Sequence, residues 1–314
     1  MMKWVEFSPL ALSDEDYPRL GVVADGRIIE IGESDKGTLI SLIQHPHQDD
    51  LVADIRAMVA SGTSVLRDKE RRTFDLADVT LHPPIRKPPT LRDFYAFEAH
   101  VKTANQNRGR EVPPVWYEIP VFYFSNTGSI LGHDENLPYP NGVTALDYEL
   151  EIACIIGKEG RDIPADEAEN YIFGYTIMND WSARDLQMKE VTVGLGPAKG
   201  KDFATSLGAT VVMPHDLKPY HAGRTGVYDA QMIARVNGIE RSRGNWRDIH
   251  YSFGELLARA SQNVTLYPGD VIGSGTVGTG CLLELTRAQG PWLAVGDVVE
   301  FEVEPIGILR NTIA

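Results

Sequence analysis

The sequence predicts an α+β fold: a mostly β mixed sheet with few short helices, preceded by a small N-terminal β domain. Three observations carry this. Short β-branched runs alternate with turns from residue 121 onward, helical stretches are few, and a proline-rich segment separates a small β unit from the rest.

Residues 4–7, 20–23 and 27–31 read as strands, the last two joined at Asp25-Gly26, a dipeptide suited to the positive φ angles of a tight hairpin. Residues 37–60 are helical in pattern around a break at Pro46, with His45 and His47 on the loop that flanks it. The run RDKERR, residues 67–72, mixes signs and reads as a solvated helix end. Pro83, Pro84, Pro88 and Pro89 can continue neither a helix nor a central strand, which puts the domain boundary between 1–82 and 83–314. Further strands are expected at 121–124, 146–156, 172–178, 210–213, 233–236, 271–272, 282–285 and 298–303. This spacing is not the regular βαβ repetition of a doubly wound nucleotide fold.

Composition narrows the function. The chain has 314 residues, 43% of them hydrophobic, enough to bury a sizeable core. A net charge of -14 with no basic patch argues against nucleic acid and anionic membrane as partners. Cys154 and Cys281 lie in apolar runs and read as buried hydrophobes, in keeping with a reducing compartment. No stretch reaches the roughly 18 apolar residues of a membrane span, so the cytoplasm is the expected address.

Several motifs are near misses. GSGTVG at 273–278 has the dinucleotide fingerprint, but the strand-like CLLELT follows it, so it reads as a strand-to-strand turn. GLGPAKGK lacks the glycine spacing of a phosphate loop, and Asp202 takes the hydroxyl position. There is no Gly-x-Ser-x-Gly elbow, and neither cysteine has a basic neighbour to activate it.

Acidic residues supply the positive signal. In ALDYELEIACIIG, Asp147, Glu149 and Glu151 fall at period two, on one face of a strand. Carboxylates two positions apart on a strand are about 7 Å apart, close enough to converge on a hard divalent cation, although a solvated acidic face is the plainer reading. In YIFGYTIMNDWSARDLQ a strand runs into a helix with Asp180 near its start as a cap, and Arg184 and Gln187 share one helical face. Asp93 and His100 stand two turns apart if RDFYAFEAHVKTANQNRG is one helix. Lys199 and Lys201 lie on a glycine-rich loop, and Glu284 alternates with leucines in a pattern that fits a sheet edge.

Six separated blocks, RDFYAFEAH, LDYELEIACIIGK, GYTIMNDWSARDLQ, GKDFATS, GSGT with LLEL, and GDVVEFEVEPIGILRN, resemble the fumarylacetoacetate hydrolase family in order and content over residues 83–314. The small β unit before them fits its two-domain members. The resemblance implies that Asp93, Glu149, Glu151 and Asp180 are metal ligands, that His100 is the water-activating base and that Glu284 orients it. Smaller acylpyruvate-cleaving relatives carry a glutamate three residues after the histidine, where this chain has Thr103. Tyr95, Arg184, Gln187, Lys201 and Thr276 match positions that bind the substrate's carboxylate and carbonyl oxygens. The turn from Thr276 to Glu284 is shorter than in fumarylacetoacetase proper, which leaves the acyl tail of the substrate open.

The implied activity is hydrolysis of a carbon–carbon bond in a small 1,3-dicarbonyl acid, such as fumarylacetoacetate or an acylpyruvate, in aromatic catabolism. The implied cofactor is a divalent cation, Mg2+ first, with Mn2+ or Ca2+ also suited to all-oxygen ligands. A homodimer is implied as well. The alternatives are isomerisation or decarboxylation of a 2-oxo diacid, and a non-catalytic metal-binding module.

Overall fold

The computed structural model describes residues 1–10, 18–31, 37–107 and 109–314. In chain order the elements that build the site are β1 (Lys3–Pro9), β2 (Arg19–Ala24), β3 (Arg27–Glu30), α1 (Leu39–Ile43), α2 (Gln48–Ala60), β4 (Leu91–Phe94), α3 (Glu98–Asn107) and β5 (Phe122–Ser125). They continue with β6 (Leu146–Asp147), β7 (Leu150–Ile156), β8 (Ile172–Asp180), β9 (Ser182–Ala183), α4 (Arg184–Glu190), β10 (Thr205–Leu207) and β11 (Thr210–Val212). The last are β12 (Gln231–Val236), β13 (Ile239–Asn245), α5 (Phe253–Ser261), β14 (Val271–Gly273), α6 (Leu282–Leu285), β15 (Val298–Val303) and β16 (Gly307–Thr312).

The main sheet runs β3-β2-β1-β11-β8-β7-β14-β4-β5, and a second, antiparallel sheet runs β13-β12-β15-β16. The main sheet is mixed because β14 and β4 pair in parallel, with Gly273 opposite Asp93, while β7 pairs antiparallel to β8 and to β14. β7 and β8 are buried along their whole length, as their continuous apolar runs require of central strands. The fold is therefore the mostly β, mixed-sheet α+β arrangement with few short helices.

The N-terminal strands extend this same sheet. β1 pairs with β11 through Lys3 opposite Val212, and Trp4 packs edge-on to Phe173 at 5.6 Å between ring centres. Met2, Trp4, Leu39 and Ile55 share one apolar cluster with Ala153, Ile155, Phe173 and Val211. Asp25 and Gly26 both take positive φ in the expected hairpin, and the helical stretch breaks at Pro46 into α1 and α2. No helix among the described residues is long and apolar enough to cross a membrane.

Four local expectations are corrected. Residues 67–72 are not a helix end: Lys69–Glu70 pairs with Val65–Leu66, and Arg72 bonds Glu30 at 2.7 Å. Asp93 and His100 are not on one helix, because Asp93 lies in β4 and His100 in α3. Asp180 is no helix cap but the last residue of β8, and α4 starts at Arg184. The stretch 282–285 is a helical turn and not a strand, for a reason set by distant residues.

Glu6 ties β1 to α1 by accepting the Leu39 N–H at 2.7 Å. Burial raises its carboxyl from 4.5 to about 7, against the smaller pulls of that hydrogen bond and of Arg86. The native protein thus holds a proton that the unfolded chain releases first, and stability falls as pH rises from 4.5 to about 7. Glu6→Gln keeps the acceptor and removes the charge. Its stability relative to the parent should grow across that window, by up to about 3 kcal/mol, in urea unfolding at pH 5 and pH 8.

Candidate active site

The register of the main sheet gathers acids at one end. Asp93 on β4 lies opposite Gly273 on β14, Glu151 on β7 lies opposite Met178, and Asp180 ends β8 opposite Thr205 on β10. Glu149 stands in the break between β6 and β7, where its N–H is held by the Asn179 side chain at 3.0 Å. Asp93, Glu149, Glu151 and Asp180 each place an oxygen within 4.8 Å of the others, and all four are buried.

Glycine makes the convergence possible. A Cβ at Gly273 would collide with Met178 and with the Asp93 carboxylate. Gly275, at φ +78°, presses its backbone against Phe94 and donates its N–H to Asp93 Oδ1 at 3.2 Å and Glu151 Oε2 at 3.1 Å. The GSGT turn therefore holds carboxylates, not a phosphate. Thr276 adds a donor to Glu151 at 3.3 Å.

Two buried cations face the acids. Lys201 Nζ donates to Glu149 and Asp180, each at 2.5 Å. Arg184 donates to Glu149 at 2.8 Å, to Asp147 at 2.9 Å and to Gln187 at 3.0 Å. Burial opposes ionisation of Glu149, but Lys201 and Arg184 outweigh it and hold its carboxyl well below the usual range. Burial, then the neighbouring acids, push Asp93 and Glu151 far up, and burial also raises Asp180.

A divalent cation fits this donor set. The ligands are all oxygen, they converge, and Asp180 Oδ1 is buried with no hydrogen-bond partner among the described residues. Tyr123, which the sequence reading missed, donates to the other Asp180 oxygen at 2.6 Å. Tyr123 faces Asp93 across the β4–β5 pair, a register that its strand-like surroundings do not reveal.

A second constellation adjoins the first. His100 Nδ1 lies 2.6 Å from Glu284 Oε1, whose other oxygen accepts the Thr279 N–H at 3.1 Å. An ionised carboxylate only accepts, so this contact assigns the proton to Nδ1 and leaves the Nε2 lone pair available. Tyr95 packs edge-on to His100 at 5.2 Å between ring centres. Asp93, Tyr95, His100, Glu149, Glu151, Arg184, Gln187, Lys201 and Thr276 all line one cavity of about 440 Å³. Lys199 stays outside, exposed and paired with Asp202.

Asp147 does not join the metal set. Beyond the β6–β7 break its carboxylate accepts from Arg184 Nε and from the N–H groups of Leu282 and Leu283, at 2.8 to 2.9 Å. Those are the otherwise unpaired donors at the start of α6, and meeting them turns LLEL into a helix and carries Glu284 inward. The same carboxylate would repel a pyrophosphate, so the helical turn after GSGTVG offers no nucleotide site.

Fold and site together define a class: a mostly β enzyme scaffold with a buried acidic cluster suited to a divalent cation. The family description "Fumarylacetoacetate (FAA) hydrolase C-terminal" matches residues 90–314, and the chain belongs to that family. It is 30% identical to fumarylacetoacetase of Oryza sativa subsp. japonica over 300 residues, covering 78% of this chain and 69% of that one. It is 28% identical to the oxaloacetate tautomerase YisK of Bacillus subtilis over 307 residues, covering 93% and 94%. The solved 5-carboxymethyl-2-hydroxymuconate delta-isomerase of Mycobacterium smegmatis superposes with a TM-score of 0.69 at 27% identity, covering 99% of each chain.

Two measurements check this site. Saturating Mg2+ should raise the melting temperature of chelator-stripped protein by on the order of 5 °C, and Asp180→Asn should abolish the shift. Asp147→Asn leaves Arg184 with one carboxylate fewer and should lower the unfolding free energy by about 3 kcal/mol in denaturant titration.

Proposed function

We propose that this chain hydrolyses a carbon–carbon bond in a 1,3-dicarbonyl acid such as fumarylacetoacetate or an acylpyruvate. The observation that carries the reading is His100, bonded through Nδ1 to Glu284, on the wall of the cavity that Asp93, Glu149 and Glu151 also line. A divalent cation held by Asp93, Glu149, Glu151 and Asp180 would supply Lewis-acid polarisation of the substrate's carbonyl oxygens.

Every other part falls to the chain's own groups. His100 Nε2 takes a proton from water as the water oxygen bonds to the acyl carbonyl carbon. Glu284 fixes the ring and stabilises the imidazolium. The bond between that carbon and the methylene carbon then breaks, and its electron pair leaves with the keto-acid fragment, acetoacetate from fumarylacetoacetate or pyruvate from an acylpyruvate, as an enolate. His100 returns the proton to that fragment, and two acids result. Lys201, kept charged by Asp180 and Glu149 despite burial, places fixed positive charge beside the developing enolate. Arg184 and Gln187, joined at 3.0 Å, orient the substrate carboxylate.

A second reading has its own support. The tautomerase relative matches over 93% of this chain, so isomerisation or decarboxylation of a 2-oxo diacid on the same acids is the competing activity. Neither needs an activated water. Family resemblance further suggests a homodimer, for which light scattering is the test.

Absorbance loss of fumarylacetoacetate and of acetylpyruvate, with Mg2+ or with chelator, separates the readings. Hydrolysis predicts metal-dependent loss yielding two acids, reduced on the order of a hundredfold to ten-thousandfold in His100→Ala. Turnover that survives in His100→Ala would move the isomerase or decarboxylase reading to the front.

A further inference from the structure

We propose that the acyl tail of the substrate is uncharged and apolar, so that of the two substrate types named above the enzyme favours acylpyruvates with alkyl or aryl tails over diketo acids whose acyl tail ends in a second carboxylate, as that of fumarylacetoacetate does. The inference rests on the diketo-acid reading and deepens it. Beyond the carboxylate cluster the cavity lining is mostly apolar: Val101 and Ala104 on α3 and Trp116 in the following turn are buried, and Val115, Val121 and Val191 add apolar surface that is exposed to solvent until a tail covers it.

A tail carboxylate buried against these walls needs a cation or free donors to replace its water. The only Lys or Arg side chains lining the cavity among the described residues are Arg184 and Lys201. Both already pair with buried acids, Arg184 with Asp147 and Glu149 and Lys201 with Glu149 and Asp180, and the proposed reaction assigns both to the head group, so neither is left for a tail carboxylate. The polar side chains in the apolar wall are few and partly engaged. Asn105 donates one amide hydrogen to the Val101 carbonyl at 2.8 Å, and the Trp116 indole N–H goes to the Tyr95 carbonyl at 2.8 Å. A dianion also meets the acidic cluster and the net charge of -14 at greater cost than a monoanion does.

The test compares hexanoylpyruvate with adipoylpyruvate, which has the same chain length and ends in a carboxylate, at saturating Mg2+. Both kcat/KM and ligand-induced thermal shift are read for the parent and for Val115→Arg. We expect kcat/KM at least tenfold higher for hexanoylpyruvate and a larger thermal shift with it, with Val115→Arg narrowing both differences. Cleavage of both acids with no preference, or with preference for adipoylpyruvate, would overturn the tail assignment and leave hydrolysis standing. If neither acid is cleaved, a larger shift with hexanoylpyruvate sustains the tail assignment while the hydrolase reading fails. Equal or absent shifts without cleavage would sink the tail assignment too.

Discussion

Burying four carboxylates within 4.8 Å of one another is the constraint around which the rest of this molecule is arranged. Like charges at that spacing repel strongly once water is removed, so a chain that keeps them together must supply compensation from many directions. Lys201 and Arg184 provide formal charge, the Gly275 N–H bridges Asp93 and Glu151, and Thr276 and Tyr123 donate hydroxyl hydrogens. Burial, and after it the neighbouring acids, still raise the carboxyls of Asp93 and Glu151. A divalent cation suits such a set of converging oxygens.

Asp147 joins this cluster to the rest of the machinery. Its two oxygens hold Arg184 on one side and the first turn of α6 on the other, and α6 carries the glutamate that orients His100. The positions of Arg184 beside Glu149 and of His100 beside Glu284 are thus both tied to one buried carboxylate. Asp147 is not among the residues lining the cavity, so it acts on the site by positioning others.

The family places hydrolases, tautomerases and isomerases on a common scaffold, and the acidic cluster alone does not separate them. What surrounds the cluster in this chain is a histidine bonded through Nδ1 to a carboxylate and a largely apolar cavity lining.

Local chemistry made much of this legible before any coordinates. Asp25-Gly26 turned as its φ preferences require, Pro46 split the helix, and the apolar runs of β7 and β8 became central strands. The acidic residues stood out by their period-two spacing, for which a solvated face is the plainer reading, and the family resemblance is what implied metal ligation. What a one-dimensional pattern did not reveal was partnership across long separations. LLEL alternates like a strand, yet Asp147, 135 positions away, caps it into a helix. Tyr123 meets Asp180 across 57 positions of sequence, from a strand that is not adjacent to β8 in the sheet order. Nor did spacing tell that Asp147 turns to Arg184 while Glu149 and Glu151 stay with Asp93, since that depends on the break between β6 and β7. Sequence determined which residue types were present and which local elements they favour, because backbone preference and periodicity act over a few residues. Tertiary structure decided which carboxylates meet, which cation each receives and which walls face the cavity, because burial and hydrogen bonding are settled by neighbours in space.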